Sequence, residues 1–123
     1  MTNLEFFKGR VEATIPTRKF MRDRKADPDK MILVDVRNPH VSQEDMSTKI
    51  EGAIHMPQRE LIDRLSELPK DKLIIAYTWD DWCNLAAHAA IALLENGYQA
   101  MELRGGIAAW KSLGYPTEPL DVK

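Results

Sequence analysis

The chain has a single cysteine among its 123 residues, and this excludes an internal disulfide. Its histidines number three, His40, His55 and His88, and they stand far apart with no paired spacing. A zinc site is therefore not expected, and no other metal or cofactor is called for. No apolar run approaches the roughly 20 residues needed to span a bilayer. The opening MTNLEFFKGRVEA lacks the apolar core of a signal peptide, so a reducing cytoplasm is the expected location. An excess of one charge is missing too. Lys and Arg total 17 against 19 Asp and Glu, a net charge of −2, which does not indicate nucleic-acid binding.

What is present suits one ordinary core. Apolar residues make up 44% and charged residues 29%, the balance of a soluble globular domain. The length allows one domain and not two. Residues 1–14 read as an N-terminal helical extension and 15–123 as a single domain. In the extension, Leu4, Phe7 and Val11 recur at helical spacing with Phe6 beside them. This stripe is expected to pack on the domain; the alternative is a contact with a second subunit, giving a homodimer through residues 4–11.

Residues 73–97 organise the chain. Leu73-Ile74-Ile75-Ala76-Tyr77 has the pattern of a strand buried on both faces. A compact loop follows, Thr78-Trp79-Asp80-Asp81-Trp82-Cys83, and then an alanine-rich helix over 84–96 stopped by Gly97. Strand, tight loop and helix N-terminus make a ready anion site, because the first helical N–H groups have no intrahelical partner.

The flanking segments alternate between strand and helix. Ile15-Pro16-Thr17 reads as a helix start with Thr17 as its cap, Phe20 and Met21 facing the core, and an end near Lys25. Residues 31–36, MILVDV, form a second central strand whose carboxyl end carries Asp35 and Arg37. That end of an open α/β sheet is where ligands bind, and a local ion pair or turn anchor is the competing role for Asp35. Residues 38–51 suit a polar surface loop with at most one helical turn. Residues 52–57 read as a short strand in which His55 is a hydrogen-bonded structural residue. Residues 58–68, with Leu61, Ile62, Leu65 and Leu68, read as an amphipathic helix. A short strand over 100–103 leads through Arg104-Gly105-Gly106 to a helix with Ile107, Trp110 and Leu113 inward, and then to a Pro-rich tail. This alternation predicts an α/β domain with a central, mainly parallel sheet and helices on both faces.

In this order and spacing, Ile32-Leu33-Val34-Asp35-Val36-Arg37, Gly52-Ala53-Ile54-His55-Met56-Pro57, the strand 73–77 with its loop, and Leu103-Arg104-Gly105-Gly106-Ile107-Ala108-Ala109-Trp110 resemble the rhodanese family over roughly residues 15–118. The resemblance implies a rhodanese-like fold and a sulfurtransferase. There, the residue after the 73–77 strand is a cysteine that accepts sulfane sulfur as a persulfide and passes it to cyanide or a thiol. Here that position is Thr78, which cannot form a persulfide. The loop Thr78-Trp79-Asp80-Asp81-Trp82-Cys83-Asn84-Leu85-Ala86 is similar to a longer family variant with cysteines at both ends, its first cysteine lost. The usual His-Ile-Pro before the Gly-Ala-Ile strand is also altered, to Lys49-Ile50-Glu51.

Cys83 is thus the one residue able to carry a persulfide. It sits near a helix N-terminus that favours a thiolate, and its alternative role is a small apolar residue under the loop. Asp80 and Asp81 disfavour an anionic donor by repulsion, and the expected role of Asp81, Asp80 or Asn84 is to cap the following helix. Trp79 and Trp82 wall a pocket or form a contact patch, one buried and one partly exposed. His88 lies about 140° around the helix from Cys83, so no Cys–His pair is expected. Arg104 reaches the pocket or forms a surface ion pair. The residues expected to bind substrate or shape the loop are Thr78, Trp79, Asp80, Asp81, Trp82, Asn84, Asp35 and Arg37.

Two functions follow. One is sulfur transfer, degenerate or weak because of Thr78, with a small sulfur-containing anion or a thiol as partner. The other is a non-catalytic binding or regulatory module whose acidic, Trp-bearing loop 78–84 meets a protein.

Overall fold

The computed structural model describes residues 1–41 and 45–122. Its main sheet is assembled from β1 (Thr14–Ile15), β2 (Met31–Asp35), β4 (Ile54–His55), β5 (Leu73–Tyr77) and β6 (Gln99–Leu103). The strand order is β1-β6-β5-β2-β4, and every neighbouring pair is parallel. Such a sheet must be covered on both faces, and alternation along β5 shows how. Ile75 and Tyr77 enter one core with Phe20 of α2 (Thr17–Ala26) and Ile107 and Trp110 of α4 (Gly106–Ser112). Ile74 and Ala76 enter the other with Ala86, Ala89 and Leu93 of α3 (Leu85–Glu95). Trp110 is fully buried, and its indole N–H is satisfied by the Pro116 carbonyl at 2.7 Å. That lets a large aromatic body be buried without the cost of an unpaired donor. This is the mainly parallel α/β architecture expected, with helices on both faces.

Local departures from the sequence reading have physical causes. Residues 58–68 form two 3-10 segments, Gln58–Glu60 and Ile62–Glu67, in place of an α-helix. Three-residue hydrogen bonds such as Leu61 N–H to Gln58 O and Leu68 N–H to Leu65 O close these turns, Leu61 and Leu68 are buried, and Ile62 is left outside. Apolar spacing between two prolines over so few residues does not separate the two helix types. Within the expected loop 38–51, Thr48–Ile50 is a strand, β3, paired antiparallel with β7 (Thr117–Pro119) from the Pro-rich tail. Its partner is distant in sequence, so no local pattern announced it. Residues 42–44 of that loop lie outside the described residues. Thr17 does not cap α2. The cap position is Pro16, and the Thr17 hydroxyl instead donates to the Arg104 carbonyl at 2.9 Å.

The N-terminal helix α1 (Asn3–Ala13) begins with a capping box between Thr2 and Glu5. It buries no residue, and Leu4, Phe7 and Val11 are 64%, 56% and 71% exposed. The expected packing of this stripe on the domain is therefore corrected: α1 runs beside β1 and β6 with its apolar stripe turned to solvent. Among the described residues no helix is long and apolar enough to cross a membrane.

Candidate active site

The loop between β5 and α3 stands at the carboxyl end of the sheet and is held from two sides. From below, Asp35 and Arg37 form an ion pair that is 0% exposed, with Arg37 Nη2 2.6 Å from Asp35 Oδ2 and Nε 2.9 Å from Oδ1. The Tyr77 hydroxyl donates to Asp35 at 2.8 Å and accepts the Ile50 N–H at 3.0 Å. Burial first, and then the Asp35 carboxylate, push the Tyr77 phenol far above its ordinary range, so it stays a neutral donor. Arg37 also donates to the Thr48 carbonyl, and its guanidinium lies 4.4 Å from the Trp79 ring centroid. His55 is bonded to the Arg37 carbonyl, the structural role expected of it. Asp35 and Arg37 thus support the loop from beneath. Fully buried, they are not available as the substrate contacts the sequence suggested.

From the side, the start of α4 clamps the loop. The Ile107 N–H donates to the Thr78 carbonyl at 3.0 Å and the Ala108 N–H to the Trp79 carbonyl at 2.9 Å. Gly106, at φ +58°, makes this approach possible: a Cβ there would stand 2.8 Å from the Trp79 carbonyl carbon and closer still to Thr78 O.

The aspartates take other partners than the helix cap expected. Asp80 accepts the Trp82 N–H at 2.9 Å, and Asp81 reaches across to the Gly105 N–H at 2.7 Å. Asn84 occupies the N-cap position of α3, but its side chain makes no capping bond. The helix N-terminus beside Cys83 therefore has no side-chain cap, and both carboxylates are engaged in fixing the loop.

Thr78 and Cys83, at the two ends of the loop, come together. The Thr78 hydroxyl, 1% exposed, donates to Cys83 Sγ at 3.2 Å. The thiol itself is half-buried. It opens into a cavity of about 680 Å³ bounded by α1, the loop and β6. Trp79 is half-buried and packs on the core, whereas Trp82 is 93% exposed. His88 is exposed and away from this cavity, in keeping with the absence of a Cys–His pair.

Glu102 of β6 and Arg104, the residue just beyond that strand, line the same cavity. Arg104 lines it and bonds Thr14 Oγ1 at 2.9 Å, taking the pocket role and not the surface ion pair among the described residues. Its buried Nε has no hydrogen-bond partner among the described residues. Glu102 was not singled out from the sequence. Burial, and secondarily the Asp81 carboxylate, push its carboxyl above the ordinary range, favouring the protonated form. A charged residue between Met101 and Leu103 of a short strand was the available signal. The described residues contain no cluster of His, Cys, Asp and Glu able to hold a metal.

A parallel five-stranded sheet with helices on both faces and a strand–loop–helix cradle at its carboxyl end defines an open α/β domain. The chain belongs to the rhodanese family: the model of the rhodanese-like domain matches residues 17–113. A sulfurtransferase of Allochromatium vinosum is 34% identical over 100 residues, covering 78% of this chain and 86% of that protein. An HTH-type transcriptional regulator of Mycobacterium tuberculosis is 36% identical over 110 residues, covering 89% of this chain; the chain spans only 46% of the regulator's length. Among solved structures, the full-length protein from Lactobacillus plantarum superposes with a TM-score of 0.86 at 30% identity, covering 95% of this chain and 96% of that one.

Proposed function

We propose that this rhodanese-like domain handles sulfane sulfur through Cys83, with low thiosulfate:cyanide turnover because Thr78 stands where the family's acceptor cysteine would be. The observation that carries the reading is the Thr78 hydroxyl bonded to Cys83 Sγ at 3.2 Å. Closure of the loop brings the thiol against the Thr78 side chain. Further support comes from the carboxylates of Asp80 and Asp81, which are bonded to loop and turn N–H groups and leave the α3 N-terminus without a side-chain cap. Their charge remains near the site, and it weakens an inorganic dianion more than a neutral or singly charged donor.

The test is turnover of thiosulfate and cyanide by wild type, Cys83→Ser and Thr78→Cys/Cys83→Ser. Low but measurable activity is expected in wild type and none in Cys83→Ser. The double variant, which puts a thiol at position 78, is expected to turn over thiosulfate faster than Cys83→Ser, because the low turnover is ascribed to Thr78. Cys83→Ser with full wild-type turnover would refute the reading.

A second reading, a non-catalytic binding module, is favoured by Trp82, which is 93% exposed at the loop tip beside exposed Asp81. An exposed tryptophan with acidic neighbours suits a basic protein surface. It predicts a wild type as inactive as Cys83→Ser.

A further inference from the structure

Thiosulfate has five non-hydrogen atoms and fills on the order of 100 Å³, taking a water's ~30 Å³ as the yardstick. The cavity over Cys83 is about 680 Å³, several times larger. Organic ligands are the usual occupants of cavities of this size. One wall is α1, where Phe6, Gly9 and Ala13 line the cavity together with the charged Glu5 and Arg10; the facing wall includes Cys83, Ala87 and Glu102. None of these α1 residues falls within residues 17–113, the part that matches the rhodanese-like domain. The helix buries no residue, so its inner side borders an open cavity and is not packed down onto the sheet. Phe6 is 50% exposed, a ring left half-covered at the cavity edge.

We propose that α1 turns the Cys83 cavity into a subsite for an organic persulfide with an apolar body of about the size of an aromatic ring, and that Phe6 and Gly9 determine this specificity. The inference rests on Cys83 being the reacting sulfur. In the step it serves, the Cys83 sulfur attacks the outer sulfur of R–S–SH. The S–S bond breaks, R–S⁻ leaves with the electron pair and takes up the proton given up by Cys83, and the outer sulfur remains on Cys83 as its persulfide. The R group stays between Phe6 and Ala87 until it departs as R–SH.

Binding is tested apart from sulfur transfer by the rates at which Cys83 forms mixed disulfides with methyl and benzyl methanethiosulfonate. In each reaction the Cys83 sulfur displaces methanesulfinate from the reagent's sulfenyl sulfur. Burying a ring is expected to make the benzyl reagent about tenfold faster, relative to the same ratio for a free thiol in solution. Gly9→Phe fills the cavity: a Cβ at Gly9 meets nothing within 4 Å. It should abolish the benzyl preference while the methyl rate stays within about twofold. Phe6→Ala removes the ring from the wall and should lower the preference about threefold, and it serves alone if Gly9→Phe does not fold. A wild-type ratio equal to that of the free thiol would overturn the subsite. So would a preference untouched by the variants, or equal slowing of both reagents. A benzyl preference without any persulfide on Cys83 would leave the subsite standing and remove the sulfur-transfer reading.

Discussion

Asp35→Ala is expected to lower the unfolding free energy by about 3–5 kcal/mol, the usual cost of stranding one member of a buried ion pair. Against a total of ~5–15 kcal/mol for a domain, that is a large fraction. The reason is specific. Arg37 is 0% exposed, and Asp35 accepts from its Nε, its Nη2 and its backbone N–H. Alanine removes these acceptors and the one that the Tyr77 hydroxyl uses. A guanidinium charge then lies in the interior with the Thr48 carbonyl as its remaining hydrogen-bond acceptor among the described residues. The same change loosens the floor under Trp79, since the guanidinium stacks on that ring. Urea unfolding of Asp35→Ala and of Asp35→Ala/Arg37→Met separates the causes. The double variant should recover most of the loss, because it removes the stranded charge. A single variant within about 1 kcal/mol of wild type would mean that the pair is not what holds the carboxyl ends of β2 and β5 together.

Gly106→Ala is expected to reduce sulfur loading of Cys83 by about 10²-fold, the scale set by a misplacement near 1 Å at a reacting centre. The added methyl would lie 2.8 Å from both the carbonyl carbon and the oxygen of Trp79, closer than van der Waals contact allows. The neighbour is backbone, so no flexible side chain can swing away. Relief requires the loop to lift, which breaks the Ile107 and Ala108 hydrogen bonds to the Thr78 and Trp79 carbonyls. Thr78 carries the hydroxyl that meets Cys83, so a lifted loop separates that pair. Gly114→Ala is the control. Gly114 has φ +73°, with nothing within 4 Å of a Cβ. It carries the left-handed strain of about 1–2 kcal/mol without the collision, and its loading should match wild type. Equal loading in Gly106→Ala and Gly114→Ala would show that the α4 clamp does not position the loop.

The architecture was legible because its signals are local. The runs at 31–36 and 73–77 could only be strands covered on both faces, and the alternation of elements fixed the class. The family signature rested on pieces spread along the chain, and all of them fall in the parallel sheet or its connections. What was missed needed partners far apart in sequence. Thr48–Ile50 becomes a strand through Thr117–Pro119. Asp81 turned from an expected helix cap to an acceptor for Gly105, across the gap between two connections. The meeting of Thr78 and Cys83 is a property of loop closure, which residue types do not announce. The position of α1 was legible as a helix but not as a cavity wall. Its apolar stripe suggested burial, whereas the α1 residues that border the cavity are Glu5, Phe6, Gly9, Arg10 and Ala13, off the Leu4/Phe7/Val11 line.

The central claim, that Cys83 carries sulfane sulfur, is tested most directly by mass. The full chain is incubated with a low-molecular-weight persulfide, freed of excess donor, digested, and the peptide containing Cys83 is weighed. That peptide should be one sulfur atom heavier, the extra sulfur should be released by a reducing thiol, and the Cys83→Ser protein should show no gain. An unmodified Cys83 peptide, under conditions in which a free thiol in the same tube is persulfidated, would contradict the account.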